Sequence, residues 1–262
     1  MSELIKIADS TLVAGLHPSP NVEPRREGVD PSMLIMHYTG LPTVERAIDV
    51  LSRTDCKVSC HYVIDEQGRI TQMVAEELRA WHAGVASWAG ETDINSASIG
   101  IEIQNPGHGG GYPDFPPEQM QAVAALSRDI CRRHGIAPER VLAHSDVAPG
   151  RKIDPGEKFD WAWLAAEGIG HWVEPVPVDP QDAGLEPCAA GASVMQMQRL
   201  LAAYGYGVAP SGTLDADTER VVAAFQRHFR PERVDGRIDR SSMATLEKLI
   251  AALPEPRKGW RA

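Results

Sequence analysis

Cysteine, basic runs and long apolar runs are all scarce in this sequence. Only four cysteines occur in 262 residues (Cys56, Cys60, Cys131 and Cys188), and no two stand in a C-x-x-C spacing. That removes the spacing of a cysteine metal or redox motif. Cys56 and Cys60 could pair if the fold brought them close, but nothing requires it, and free thiols in a reducing compartment are the simpler reading. No apolar run approaches the roughly 18–20 residues that a membrane-spanning helix requires. The first residues, MSELIKIADSTLVAGL, lack a basic start, and polar residues interrupt their apolar stretch, so they do not form a secretory signal. No lipobox-like cysteine follows. The expected compartment is therefore the cytoplasm, or the periplasm or wall if a leader has been removed. There is no Lys/Arg-rich run either: 26 basic residues stand against 36 acidic ones, for a formal net charge of −10. This excludes nucleic acid and anionic membrane as main partners. A polymer recognised through hydroxyl and amide groups stays open.

What is present is a chain with 43% hydrophobic and 24% charged residues, long enough for one large domain or a larger and a smaller one. The stretch 174–191, EPVPVDPQDAGLEPCAAG, has four prolines and almost no apolar periodicity. It reads as a semi-rigid linker. The expected division is 1–175, a linker at 176–191, and a smaller unit at 192–254.

In the first part, MLIMHY at 33–38 reads as a buried strand. SCHYVID at 59–65, EQG, and RITQMV at 69–74 read as a β-hairpin. SASIGIEI at 96–103 is a further strand, and VLAH at 141–144 a short one. Between them, 116–135 is a helix with prolines at its start and Gly135 at its end, and Met120, Val123, Leu126 and Ile130 share one stripe. Interleaved strands and helices indicate an α/β class with a mixed central sheet. The Gly-rich stretch 103–116 is a long loop of the kind that often lines a site. The last part reads as three short helices, 193–204, 215–229 and 240–251, each with an apolar stripe. PSGTLD and VDGRID both turn the chain into a helix, which suggests a weak internal duplication.

Three groups carry chemistry. His37 ends the first strand on the face of Met33 and Ile35, where a histidine is either a satisfied core residue or a ligand. In HSDVAPGRKIDPG, residues 144–156, His144 closes a strand. If RKIDP runs extended, as Pro155 favours, Lys152 and Asp154 point to one side; the plain alternative is a surface salt bridge. In SIGIEIQN, Ile99, Ile101 and Ile103 share one face, and Gly100, Glu102 and Gln104 the other. A glutamate inside such a strand must be paired or face a cleft. Together these residues make a catalytic zinc site: two imidazoles and a carboxylate with a fourth position open to water. Glu102 would serve as base and proton donor, and Lys152 would stabilise a tetrahedral oxyanion. The chemistry is amide hydrolysis.

LIMHYTG, KVSCHYVID, AWHAG, SIGIEIQNPG and HSDVAPGRKIDPG together resemble the N-acetylmuramoyl-L-alanine amidases of the Amidase_2 type, in particular the AmiD-like subgroup, over residues from about 15 to 175. The resemblance implies a mixed central sheet flanked by helices with zinc in a groove. It implies zinc ligands at His37, His144 and Asp154, a catalytic glutamate at Glu102 and an active-site lysine at Lys152. The implied substrate is the amide between N-acetylmuramic acid, or its anhydro form, and L-alanine in peptidoglycan or muropeptides. Trp81, His82 and Asn105 fall in segments that border the groove in similar proteins. One departure matters: phage-type relatives carry a catalytic tyrosine where this chain has Cys60, before His61, which leaves Glu102 as the base. His61 reads as structural, and His17, His108, His134, His171 and His228 as surface or packing residues. Two rivals follow from the same residues, a recognition fold that binds without cleaving and a zinc peptidase that cuts within the stem peptide. The C-terminal pieces MQMQRLLAAYGYGV, SGTLDADTERVVAAFQRHF and VDGRIDRSSMATLEKL resemble the three-helix peptidoglycan-binding domain found beside wall hydrolases; the alternative is a helical unit that only packs on the rest. Nothing in the sequence specifies an oligomeric state.

Overall fold

The computed structural model describes residues 5–254. The chain begins with β1 (Gly15–Leu16), β2 (Val22–Pro24) and β3 (Met33–Tyr38), and turns into α1 (Val44–Ser52). Next come β4 (Tyr62–Ile64), β5 (Ile70–Gln72), β6 (Leu78–Ala80), the short α2 (Ile94–Ala97) and β7 (Ser98–Ile103). The long helix α3 (Pro117–His134) leads to β8 (Val141–Ala143), α4 (His144–Val147) and α5 (Trp161–Ala166). Helices α6 (Ala192–Tyr204), α7 (Ala216–Phe229) and α8 (Arg240–Ala251) complete it.

Six strands form a mixed sheet in the order β1-β5-β4-β7-β3-β8. Strands β4, β7, β3 and β8 run parallel, and the β4–β5 hairpin supplies the antiparallel pair. Strand β3 has a partner on each side and is covered on both faces, which is why it reads as an unbroken apolar run. On one face, Leu34, Met36, Ile99, Ile101 and Ile103 pack under Val123, Leu126 and Ile130 of α3. That helix ends where Gly135 takes a left-handed φ of 65° and its N–H caps the Cys131 carbonyl. On the opposite face, α1 packs on Val63 through Leu51 and Ile48. The sequence reading passes over α1, a helix of nine residues, although Thr43 is a normal N-cap that accepts from the Arg46 N–H.

Met33, Ile35, Leu142 and Val147 on that second face belong to the same core cluster as Val194, Leu201, Phe225 and Leu246 of the C-terminal helices. The segment expected to be a semi-rigid linker has no helix or strand, yet it is strapped to α8 and to the turns that lead into α7 and α8. Val176 N–H donates to Thr245 Oγ1, Leu185 N–H to the Ile238 carbonyl, and Cys188 N–H to the Leu214 carbonyl, each at 2.9 Å.

The suggested duplication has a structural counterpart. Gln198 Oε1 accepts from Gly212 N–H at 2.7 Å, while its amide donates to the Thr213 carbonyl and Thr218 Oγ1. Gln226 repeats this with Gly236 N–H at 2.8 Å, the Arg237 carbonyl and Ser242 Oγ. Each buried glutamine thus ties a turn to the helix that follows it, capped by Asp215 in one case and Asp239 in the other.

Candidate active site

The carboxyl ends of neighbouring parallel strands are where open α/β sheets place their ligands. Here His37 is the penultimate residue of β3, β7 carries Glu102 at the paired register position, and His144 follows β8 directly. His144 was expected to close a strand; it is instead the first residue of α4. Asp146 explains the difference, because its Oδ2 accepts the Ala143 N–H at 2.8 Å and turns the chain into a helical turn. The RKIDP stretch also departs from an extended run. Arg151 and Lys152 N–H both return to the Ala148 carbonyl, so the chain turns through Arg151 before Lys152 and Asp154 reach the cleft. Asp154 precedes a cis proline and is tied back through Ser145 N–H, which donates to its carbonyl at 3.0 Å.

Three buried side chains converge. His37 Nδ1 lies 2.9 Å from His144 Nδ1 and 3.1 Å from Asp154 Oδ2, and His144 Nδ1 lies 3.0 Å from the same oxygen. These form a group able to hold a metal ion. The other ring nitrogens decide the tautomers. His144 Nε2 is 3.1 Å from the Ala83 carbonyl, which can only accept, and 3.4 Å from Arg151 Nη2, which itself donates to that carbonyl, so in the neutral ring Nε2 carries the proton. His37 Nε2 is 3.0 Å from His82 Nδ1. His82 Nε2 is 3.2 Å from Ser98 Oγ, whose own proton goes to the Ile94 carbonyl at 2.5 Å. His82 therefore donates from Nε2 and accepts at Nδ1, and His37 donates from Nε2. Both Nδ1 atoms are left as bare lone pairs facing a carboxylate.

Three acceptors within about 3 Å with no proton between them repel one another, and a cation relieves that repulsion. For bonds of about 2.0–2.1 Å, tetrahedral ligand atoms lie about 3.3 Å apart, close to the spacing found. Burial and the neighbouring His144 push the His37 ring down to about 4, so it stays neutral and available as a ligand.

The triad lies in a cleft of about 320 Å³, walled by α1, the Tyr38–Leu41 turn, Trp81 and the Arg151–Asp154 segment. Glu102 and Lys152 line it as well. Glu102 Oε2 is buried with no hydrogen-bond partner. Burial first, and the Asp154 charge second, push its carboxyl well above the ordinary glutamate range, against the opposing effect of Lys152.

Trp81 and His82 both line the cleft, in different ways. Trp81 is half-buried and its Nε1 donates to Glu23 at 3.2 Å, whereas His82 sits behind His37. Asn105 is not in the cleft wall. Its amide donates to the Pro113 carbonyl and its Oδ1 accepts Gly107 N–H, so it pins the 103–116 loop. His61 is structural, with Nδ1 accepting Gly100 N–H and Nε2 facing the Leu78 carbonyl. Cys60 is a buried free thiol donating to the Tyr62 carbonyl. The sequence reading missed the supporting residues Ser98, Ala83 and Asp146. Of these only Asp146, two residues after His144 in HSD, leaves a local trace.

A model of the N-acetylmuramoyl-L-alanine amidase family matches residues 27–157. AmiD of Escherichia coli (strain K12), an N-acetylmuramoyl-L-alanine amidase, is 40% identical over 230 residues, spanning 83% of this chain and 82% of that protein. The chain belongs to the N-acetylmuramoyl-L-alanine amidases. A second model, described as "Putative peptidoglycan binding domain", matches residues 190–246 of the amidase. The 1,6-anhydro-N-acetylmuramyl-L-alanine amidase AmpD of Citrobacter freundii is 34% identical over 166 residues, 57% of this chain and 87% of AmpD. Among solved structures, E. coli AmiD with anhydro-N-acetylmuramic acid-L-Ala-D-gamma-Glu-L-Lys superposes with a TM-score of 0.71 at 37% identity, covering 87% of this chain and 93% of that one. AMPDH3 of Pseudomonas aeruginosa, in complex with an anhydromuramic pentapeptide, gives 0.68 at 32% identity, covering 90% and 97%. The amidase thus hydrolyses the amide that joins N-acetylmuramic acid to L-alanine, and the expected fold, mixed sheet with flanking helices, is the one found.

Proposed function

We propose that the amidase is a zinc enzyme that cleaves muropeptides, including those ending in anhydro-N-acetylmuramic acid, with His37, His144 and Asp154 as ligands, Glu102 as general base and acid, and Lys152 as the oxyanion partner. The observation that carries this reading is the convergence of three lone-pair atoms beside an unpartnered carboxyl oxygen in one cleft. Two imidazoles and one carboxylate are a normal donor set for catalytic zinc. When bound, the ion supplies Lewis acidity, which polarises the scissile carbonyl, acidifies the attacking water and draws the Glu102 carboxyl down into its working range.

The protein's own residues do the rest. Glu102 Oε2 has no competing donor, so it is free to take a proton from the attacking water. As the C–N bond breaks, the same oxygen returns that proton to the nitrogen of L-alanine, and the leaving group departs as a neutral amine. The Lys152 ammonium faces the oxygen on which charge develops in the tetrahedral state. The solved relatives that hold anhydromuramic peptides support the substrate class. In the division proposed, residues 1–175 carry the chemistry, 176–191 connect, and 192–254 contact the wall polymer.

A digest of purified peptidoglycan and of anhydro-muropeptides, read by mass spectrometry, tests this. Free stem peptides with an L-alanine amine, and glycans stripped of peptide, are the expected products. Intact muropeptides in the presence of zinc would sink the proposal, and cuts within the stem peptide would make the enzyme a peptidase.

A further inference from the structure

The C-terminal helices reach the metal site through one buried residue. Asp146, in the middle of α4, is fully buried. Its Oδ2 accepts the Ala143 N–H within its own turn. Its two other partners come from the C-terminal part: Tyr206 donates its hydroxyl to Oδ1 at 2.7 Å, and His228 donates Nδ1–H to Oδ2 at 2.6 Å. The His228 ring is itself fixed, stacked on Trp161 with centroids 3.8 Å apart. The rest of the contact is equally close. A Cβ at Gly150, in the turn between His144 and Asp154, would lie 2.2 Å from Arg220 Cδ of α7, and one at Gly205 would lie 2.5 Å from the Trp88 ring. Val147 carbonyl accepts Ser87 N–H at 2.8 Å, and Ala89 N–H donates to the Gly205 carbonyl at 2.8 Å, so the loop after His82 is held between α4 and the C-terminal helices.

We infer that Tyr206 and His228 are positioning residues of the metal site: through Asp146 they hold the turn that presents His144, and the C-terminal helices are thereby part of the catalytic body as well as its wall-facing appendage. The inference rests on the reading of His37, His144 and Asp154 as metal ligands. A carboxylate with no solvent access must keep its partners or move to find others. Asp146 is two residues from His144, and any reorientation of the turn displaces that imidazole. Side chains that orient a ligand from behind commonly change metal affinity by about 10–100-fold when removed. Acting one residue further out, the pair Tyr206 and His228 should account for about tenfold.

The test uses the full chain. Zinc affinity is measured by competition with a chromophoric chelator for wild type, Tyr206→Phe, His228→Phe, their double variant and His228→Asn, whose amide can replace the lost N–H. The unfolding midpoint of each metal-free protein is recorded in parallel. Leu246→Ala serves as the control, because Leu246 is buried in the C-terminal helices and its side chain, being apolar, is not a hydrogen-bond partner of Asp146. The expected result is zinc affinity lowered about tenfold in the double variant, partly recovered by His228→Asn, and unchanged in Leu246→Ala despite its lower midpoint. On a soluble muropeptide, kcat should fall while KM holds. Wild-type zinc affinity in the double variant would overturn the inference, as would an equal loss in Leu246→Ala. If the wild-type protein itself binds no zinc, the metal reading falls first and this inference with it.

Discussion

Replacing His82 by alanine tests the assignment of the bare nitrogen on His37. In the native site, the Ile94 carbonyl fixes the Ser98 hydroxyl, Ser98 fixes the His82 tautomer, and His82 Nδ1 accepts the proton on His37 Nε2 at 3.0 Å. Without His82, a buried donor loses its acceptor, which costs about 1–3 kcal/mol. The His37 ring is then free to carry its proton on Nδ1, the atom that faces His144 and Asp154. A ligand in the wrong tautomer must shed that proton first, so zinc affinity should fall by about 10–100-fold, equivalent to about 1.4–2.8 kcal/mol. His82→Asn places an amide oxygen near the position of Nδ1 and should recover most of the loss. Gly100→Ala should imitate His82→Ala, because its Cβ would stand 2.6 Å from the His82 ring. Chelator competition measures the affinities, and nitrogen-15 spectra of the imidazoles in the metal-free protein report the tautomer of His37. If His82→Ala binds zinc as wild type does, or if His37 already carries its proton on Nδ1 in the native protein, the hydrogen-bond chain has been misassigned.

Glu102→Ala should abolish turnover and leave zinc bound, readable as a zinc stoichiometry unchanged beside a lost product peak. Glu102→Gln makes a separate statement about stability. The folded-state carboxyl of Glu102 is raised above its ordinary value of 4.5, so it favours its protonated form more than the unfolded chain does. Below that value both states are protonated and the substitution changes little; as pH rises the unfolded chain ionises first and wild type loses stability. Metal-free Glu102→Gln should therefore melt above wild type at neutral pH, with the gap closing in acid; a gap that widens in acid would reverse the sign. Lys152→Ala should lower kcat by about 10²–10³-fold with little change in KM, measured on a soluble muropeptide. Chelation should lower the melting temperature, the stabilisation following the logarithm of one plus the ratio of free zinc to its dissociation constant, with excess zinc restoring it.

Much of this protein is legible locally. The runs MLIMHY and SIGIEI announce strands buried on both faces, and the strict alternation around Glu102 shows that its side chain leaves the face carrying three isoleucines. Helix α3 begins and ends at its proline and glycine signals, and the three C-terminal helices fall within a residue of the spans expected. Such signals are short-range: periodicity, caps and turn chemistry act over a few residues, so sequence alone determines them. The spacing in HSDVAPGRKIDPG likewise places a histidine, a lysine and an aspartate on one loop.

Tertiary structure decided the rest, because it rests on contacts between residues far apart in the chain. His37 as a core histidine and His37 as a ligand look alike in sequence; the difference is made by His144 and Asp154, more than a hundred residues away, and by a tautomer set through His82 and Ser98. The turn at His144 reads as the end of a strand until Asp146 is seen to cap it. His228 has no local mark of function, and its role exists only because α7 lies against α4. The proline-rich segment reads as a spacer from composition, yet its backbone groups find partners on α8 and in the turns before α7 and α8. The metal-binding residues could be named from the sequence; that their lone pairs face one another, and what holds them there, is a property of the folded packing alone.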